Sequence, residues 1–154
     1  MTNESDLIAA FGATLLKIWP NGHKPHFLLA VSGGGDSMAM LHLATRWARE
    51  HNFDCSTITI DHGLREESAM EAALVSRAAG KLGLSHQTVK WTGWDGRGNT
   101  QLRAREARYK LIDQYRGGCS VILTAHTLDD QAETFLLRLK RGSGVDGLAS
   151  ISPK

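Results

Sequence analysis

The sequence predicts an α/β protein, a doubly wound and mostly parallel sheet with helices on both faces. Short apolar or β-branched stretches alternate with helix-forming ones along most of the chain. The first of these strands, Phe27-Leu28-Leu29-Ala30-Val31, runs directly into a glycine-rich turn, Ser32-Gly33-Gly34-Gly35-Asp36-Ser37, and then into helix-forming residues 38–48. The length of 154 residues is enough for one domain with a real core, and 42% hydrophobic with 22% charged residues is the balance of a water-soluble globular chain. In such a sheet the first strand is central, and ligands lie beyond the carboxyl ends of the strands at the switch point.

The elements come in order along the chain. Leu7, Ile8, Phe11, Leu15 and Ile18 recur at helical spacing and predict an amphipathic helix over residues 5–18, ended by Pro20, Gly22 and Pro25. Beyond the glycine turn and its helix, Cys55-Ser56-Thr57-Ile58-Thr59-Ile60 is β-branched enough for a second strand, which delivers Asp61-His62-Gly63-Leu64-Arg65. Ser68-Ala69-Met70-Glu71 has the spacing of a capping box and opens a helix that stops at Gly83. His86 to Trp91 form a third strand, and a glycine-rich loop containing Trp94 comes next. Trp91 and Trp94 suit packing at the sheet edge better than base stacking. A helix capped by Asn99 or Thr100 runs to about Tyr115, and residues 120–125 form a fourth strand leading straight into another helix.

The glycine turn has the character of a phosphate cradle. Glycines adopt positive φ cheaply and let backbone N–H groups close on a ligand, while the helix N-terminus after them favours an anion. A Walker A loop is excluded because no lysine comes after the glycines, and the Rossmann fingerprint fails because Met38 stands where its third glycine belongs. What remains, S-G-G-x-D-S after a strand, resembles the pyrophosphatase loop of the N-type ATP pyrophosphatases. That resemblance implies cleavage of ATP between its α- and β-phosphates, with Ser32, Gly33, Gly34, Gly35, Asp36 and Ser37 holding phosphate. The bland alternative is an ordinary βα turn capped by Asp36 or Ser37.

Three further stretches carry candidate chemistry. Asp61 and His62 end the second strand beside the loop, where Asp61 would equally serve a turn. Gln101, Arg105 and Arg108 share one helix face. Arg108 borders the apolar side and is best placed for bidentate phosphate contact, with Arg105 and Arg103 behind it. His126, Asp130 and Glu133 share one face at the start of the last helix, where paired carboxylates suit Mg²⁺ or simply complement the helix dipole. Cys55 and Cys119 read as small buried residues; without C-x-x-C or H-E-x-x-H, structural zinc and iron–sulfur centres are disfavoured. The formal net charge of +2 mildly favours an acidic partner. With no secretory signal and no apolar run of membrane-spanning length, the expected location is the cytoplasm.

Taken together, Ser32 to Ser37, Asp61-His62-Gly63-Leu64-Arg65, Gly98-Asn99-x-Gln101 with Ala107-Arg108-Tyr109, and His126-x-x-Asp129-Asp130-Gln131-Ala132-Glu133-Thr134 are similar to the tRNA(Ile)-lysidine synthetase family. The last motif continues through Leu136-Leu137-Arg138-Leu139-x-Arg141-Gly142-Ser143-Gly144-Val145-Asp146-Gly147-Leu148 and is the most specific. The resemblance implies a ligase that uses ATP to adenylate the wobble cytidine of a CAU-anticodon isoleucine tRNA. L-lysine then displaces AMP. It further implies that Asp36 contributes to an Mg²⁺ site, that Asp130 and Glu133 bind Mg²⁺ or the lysine ammonium, and that Arg108 stabilises phosphate charge. Residues 1–25 are then an N-terminal helix and lead-in, and residues 26–154 an ATP-binding catalytic domain that stops before the family's C-terminal tRNA-recognition domains. A tRNA thiolase of the same superfamily is disfavoured for want of a cysteine pair. An ATP-binding domain without turnover has little need for the acidic face at His126, Asp130 and Glu133.

Overall fold

The computed structural model describes residues 3–22, 25–64, 66–92 and 100–126. The chain divides after Thr124 into two units, and the described elements lie in the first. They are α1 (Glu4–Ile18), β1 (His26–Ala30), α2 (Gly35–His51), β2 (Asp54–Asp61), α3 (Glu67–Lys81), β3 (His86–Lys90), α4 (Thr100–Tyr115) and β4 (Val121–Thr124). The strands form a parallel sheet in the order β3-β2-β1-β4. The first strand is central, as the sequence predicts. No helix among the described residues is long and apolar enough to cross a membrane.

Side-chain alternation along β1 divides the core in two. Phe27, Leu29 and Val31 pack on one side with Ile8 and Leu15 of α1, Leu41 and Trp47 of α2, and Val75 of α3. Leu28 packs on the other with Ile58, Val89, Cys119 and Ile112 of α4. A strand covered on both faces needs apolar residues at every position, which explains the continuous run from Phe27 to Val31. Leu29 is 0% exposed, and burial of a side chain of this size contributes about 1.5–3 kcal/mol.

Local chemistry fixes the helix ends. Asn3 caps α1 through a full capping box, its Oδ1 accepting from Asp6 N–H at 2.8 Å while Asp6 Oδ2 accepts from Asn3 N–H at 3.2 Å. Farther along, α1 crosses α2 at Gly12, where an added Cβ would stand 1.8 Å from Trp47 Nε1. Helix α2 stops at Asn52, which takes the left-handed conformation (φ 58°) that asparagine tolerates.

Two expectations are corrected. Helix α2 begins at Gly35 rather than after Ser37, so Gly35, Asp36 and Ser37 form its first turn and Gly34 is its N-cap. The capping box at Ser68 is not formed: α3 starts two residues earlier than the box requires, at Glu67, with Glu66 at its N-cap. The Ser68 hydroxyl instead donates to Asp61 Oδ1 at 2.7 Å. With Ser68 inside the first turn rather than at the N-cap, its side chain is taken up by this tertiary contact.

Candidate functional site

The site is built on the carboxyl edge of the sheet, where β1 hands the chain to its glycine-rich turn. Val31 N–H still donates to Ile58 O at 2.9 Å, and the buried Thr59 hydroxyl donates to Val31 O at 2.7 Å. These two bonds hold the chain in register up to the residue before the loop. Ser37, 5% exposed, braces the turn itself. Its hydroxyl donates to Gly34 O at 2.9 Å and accepts from both the N–H and the hydroxyl of Ser32, each at 3.2 Å. One donor and two acceptor sites are all a serine hydroxyl has, so this one is saturated inside the loop.

Gly33 sits at φ +93°, and an added Cβ would lie 3.3 Å from Glu71 Cβ and 3.6 Å from Val75 Cγ2 of α3. Only glycine meets both demands. At Gly35 the situation is opposite, with open space where a Cβ would stand. No side chain caps α2. Helix geometry leaves the N–H groups of Gly35, Asp36 and Ser37 without acceptors inside the helix, and the dipole adds partial positive charge there. Backbone donors beside open space form a cradle for an anion such as phosphate.

The end of β2 supplies the second part. Asp61, 6% exposed, accepts from the Ser68 hydroxyl and from Gly63 N–H at 3.0 Å, both on Oδ1. The Ser68 bond, with help from Gly63, holds its carboxyl below the ordinary aspartate value against the opposing push of burial. The Gly63 bond is that of a turn-former, one of the two readings the sequence offers for Asp61. His62, next to it, lies edge-on to Trp91 with ring centroids 6.2 Å apart, and its Nε2 is 2.9 Å from Arg108 Nη2. Arg108 is half-buried, and burial pulls its guanidinium below the usual value, Arg105 pressing the same way and Tyr109 opposing. A guanidinium remains charged regardless.

The structure thus gathers Ser32 to Ser37 into one loop-and-helix cradle and pairs His62 with Arg108. Arg105 is half-buried one turn before Arg108, and His126 is half-buried two residues past β4. Asp130 and Glu133 lie outside the described residues. The bracing role of Thr59 and the tertiary contact of Ser68, read from sequence only as a helix cap, escape sequence reading; a β-branched hydroxyl near the end of a strand is the faint signal for the first. Among the described residues no cluster of three or more His, Cys, Asp or Glu has metal-site geometry. The exposed Asp36 carboxylate in the first turn of α2 offers a hard oxygen beside the cradle. That fits Mg²⁺, which takes a few carboxylates and completes its shell with phosphate and water.

A parallel sheet with an anion cradle after its central strand defines a nucleotide-binding α/β domain. The chain belongs to the PP-loop domain family, whose model matches residues 8–154. It is 52% identical over 128 residues to the tRNA(Ile)-lysidine synthase of Ruegeria pomeroyi, a match that covers 82% of this chain and 30% of that protein. To the tRNA(Ile)-lysidine synthase of Bradyrhizobium diazoefficiens it is 49% identical over 132 residues, covering 83% and 37%. The chain spans about a third of the length of these curated relatives. In fold it resembles the U34-tRNA thiolase NcsA of Methanococcus maripaludis, with TM-score 0.72 and 18% identity over 94% of this chain and 54% of that one. It also resembles the NH3-dependent NAD synthetase of Campylobacter jejuni, with TM-score 0.63 and 17% identity over 96% and 65%.

Proposed function

We propose that this chain carries the ATP-binding and catalytic part of a lysidine-forming tRNA ligase. The observation that carries the reading is identity near 50% to tRNA(Ile)-lysidine synthases over four-fifths of the chain, across a stretch that includes a glycine cradle built for phosphate. The substrates are ATP, L-lysine and an isoleucine tRNA with a CAU anticodon, and the setting is the cytoplasm.

In the first step O2 of the wobble cytidine attacks the α-phosphorus of ATP. The bond to the bridging oxygen breaks and pyrophosphate leaves, giving an adenylated cytidine. A lysine amine then attacks C2, the C–O bond breaks, AMP departs, and the amine proton passes to solvent. Loop N–H groups at the start of α2 hold the phosphates before and after cleavage. Arg108 neutralises charge that develops on the phosphorus oxygens, an interaction that strengthens as the transition state forms. Asp36, with Asp130 and Glu133, would hold Mg²⁺, which shields phosphate charge when bound. Asp130 and Glu133 alternatively receive the lysine ammonium. No covalent enzyme intermediate is required.

The thiolase alternative draws no support from the cysteines. Cys55 lies at the start of β2 and Cys119 ahead of β4, at the amino edge of the sheet and away from the cradle.

The test begins with calorimetric titration of Mg·ATP into the wild-type chain and Asp36→Ala, with GTP as control. ATP-selective binding, weakened in the variant, is expected. Lysine and a CAU-anticodon tRNA transcript are then added and AMP is counted. AMP release that needs both substrates supports the ligase. ATP bound with no lysine-dependent AMP would favour a nucleotide sensor, and a folded chain that ignores ATP would defeat the cradle.

A further inference from the structure

We propose that His62 is a positioning residue for Arg108, holding the guanidinium ready at the site through the lone pair of Nε2. The inference rests on the reading of Arg108 as a phosphate-binding group and extends it to a residue outside the cradle.

The donor and acceptor roles in this pair are fixed by chemistry. Arg108 Nη2 and His62 Nε2 are 2.9 Å apart. A guanidinium only donates, so Nε2 must accept, and the ring in this pair is neutral with its proton on Nδ1. The bond uses one of the five N–H donors of the guanidinium and leaves the rest of the fork for a phosphate.

His62 is itself well fixed. Asp61, immediately before it, is tied to Ser68 and to Gly63 N–H, and the Trp91 ring stands edge-on at 84°. A histidine on the rim of a sheet therefore anchors an arginine that α4 brings from 46 residues away. An unanchored arginine side chain carries rotamer entropy that a ligand would have to overcome on binding. Preorganisation by His62 removes much of that cost in advance.

Two measurements test this on the wild-type chain and on His62→Leu, His62→Gln, Arg108→Ala and the Leu/Ala double variant. The first is the two-bond ¹H–¹⁵N spectrum of the histidine rings at neutral pH, assigned through His62→Gln. The Nδ1–H tautomer is expected for His62, and the Nε2–H tautomer overturns the proposal. The second is Mg·ATP affinity by calorimetry, with folding monitored by circular dichroism. His62→Leu and Arg108→Ala should each weaken binding about tenfold, the scale of one lost hydrogen bond to a charged group. The double variant should be no weaker than either single one, because both remove the same device. His62→Gln, which places an amide oxygen near the position of Nε2, should recover most of the loss. Multiplying losses in the double variant, or a glutamine as damaging as leucine, overturns the positioning role and leaves Arg108 as a phosphate ligand. An Arg108→Ala protein that binds Mg·ATP as tightly as wild type instead defeats the phosphate reading of Arg108, and the positioning role with it, while the tautomer result stands apart.

Discussion

Ser37 holds Ser32 at two points, accepting from its backbone N–H and from its hydroxyl, both at 3.2 Å, while donating to Gly34 O. The second serine of the S-G-G-x-D-S signature is thus a fastener inside the loop. Its contribution to ligand binding runs through backbone geometry. Ser37→Ala takes this acceptor from the Ser32 N–H and one of two donors from Gly34 O, which keeps the Met38 N–H at 3.0 Å, and should lower stability by about 1–3 kcal/mol. Urea denaturation measures that loss, and calorimetry should show weaker Mg·ATP binding below the unfolding midpoint.

Two glycines of the turn, Gly33 and Gly35, should answer differently to the same change. At Gly33 an added methyl meets a positive φ and the Glu71 side chain, so Gly33→Ala should cost about 1–3 kcal/mol of folding stability. At Gly35 nothing lies within 4 Å of the added methyl. Gly35→Ala should therefore fold at least as stably as wild type and, on the proposed phosphate reading of the loop, still bind ATP poorly, because the methyl fills the open space beside the N–H donors. Equal ATP affinity in Gly35→Ala would contradict the cradle.

Gly12 gives a control far from the chemistry. With Trp47 Nε1 only 1.8 Å from an added Cβ, Gly12→Ala must push α1 away from α2, at about 1–3 kcal/mol for overpacking. Thermal denaturation should register the loss. ATP affinity, read well below the midpoint, should not change.

The Asp61–Ser68 bond has a pH signature. The folded state lowers the carboxyl's proton affinity relative to the unfolded chain, so the stabilisation is fully present above the ordinary aspartate value of about 4. It fades as pH falls through the lower folded value. Ser68→Ala should reduce stability near neutral pH by about 1 kcal/mol and flatten the acid limb of the stability curve. Urea midpoints between neutral pH and strong acid test both effects.

The strands and their central member were legible in the sequence because residues 27–31 and 55–60 carry their burial in their composition. Helix α2 was misplaced by its own glycines: poor helix formers in general, they conceal an N-cap at Gly34 and a first turn that opens with Gly35. Ser68 obeyed a sound local rule, but the acceptor that claims it, Asp61, is reached only through the fold. The His62–Arg108 pair spans 46 positions, and no periodicity connects residues so far apart. Of the expected site, Asp130 and Glu133 fall outside the described residues, so the acidic part remains as the sequence states it.

The carboxyl edge of the sheet is a meeting place of distant chain segments. Thr59 closes on Val31 across 28 residues and Arg108 on His62 across 46. No short stretch contains the site, and none can form it before β1 is flanked by its neighbours. Recognition of a nucleotide is therefore thermodynamically coupled to completion of the whole sheet. Ligand occupancy stabilises the global native state by RT ln(1 + [L]/Kd), so nucleotide should slow amide exchange in buried strands as well as in the loop it touches.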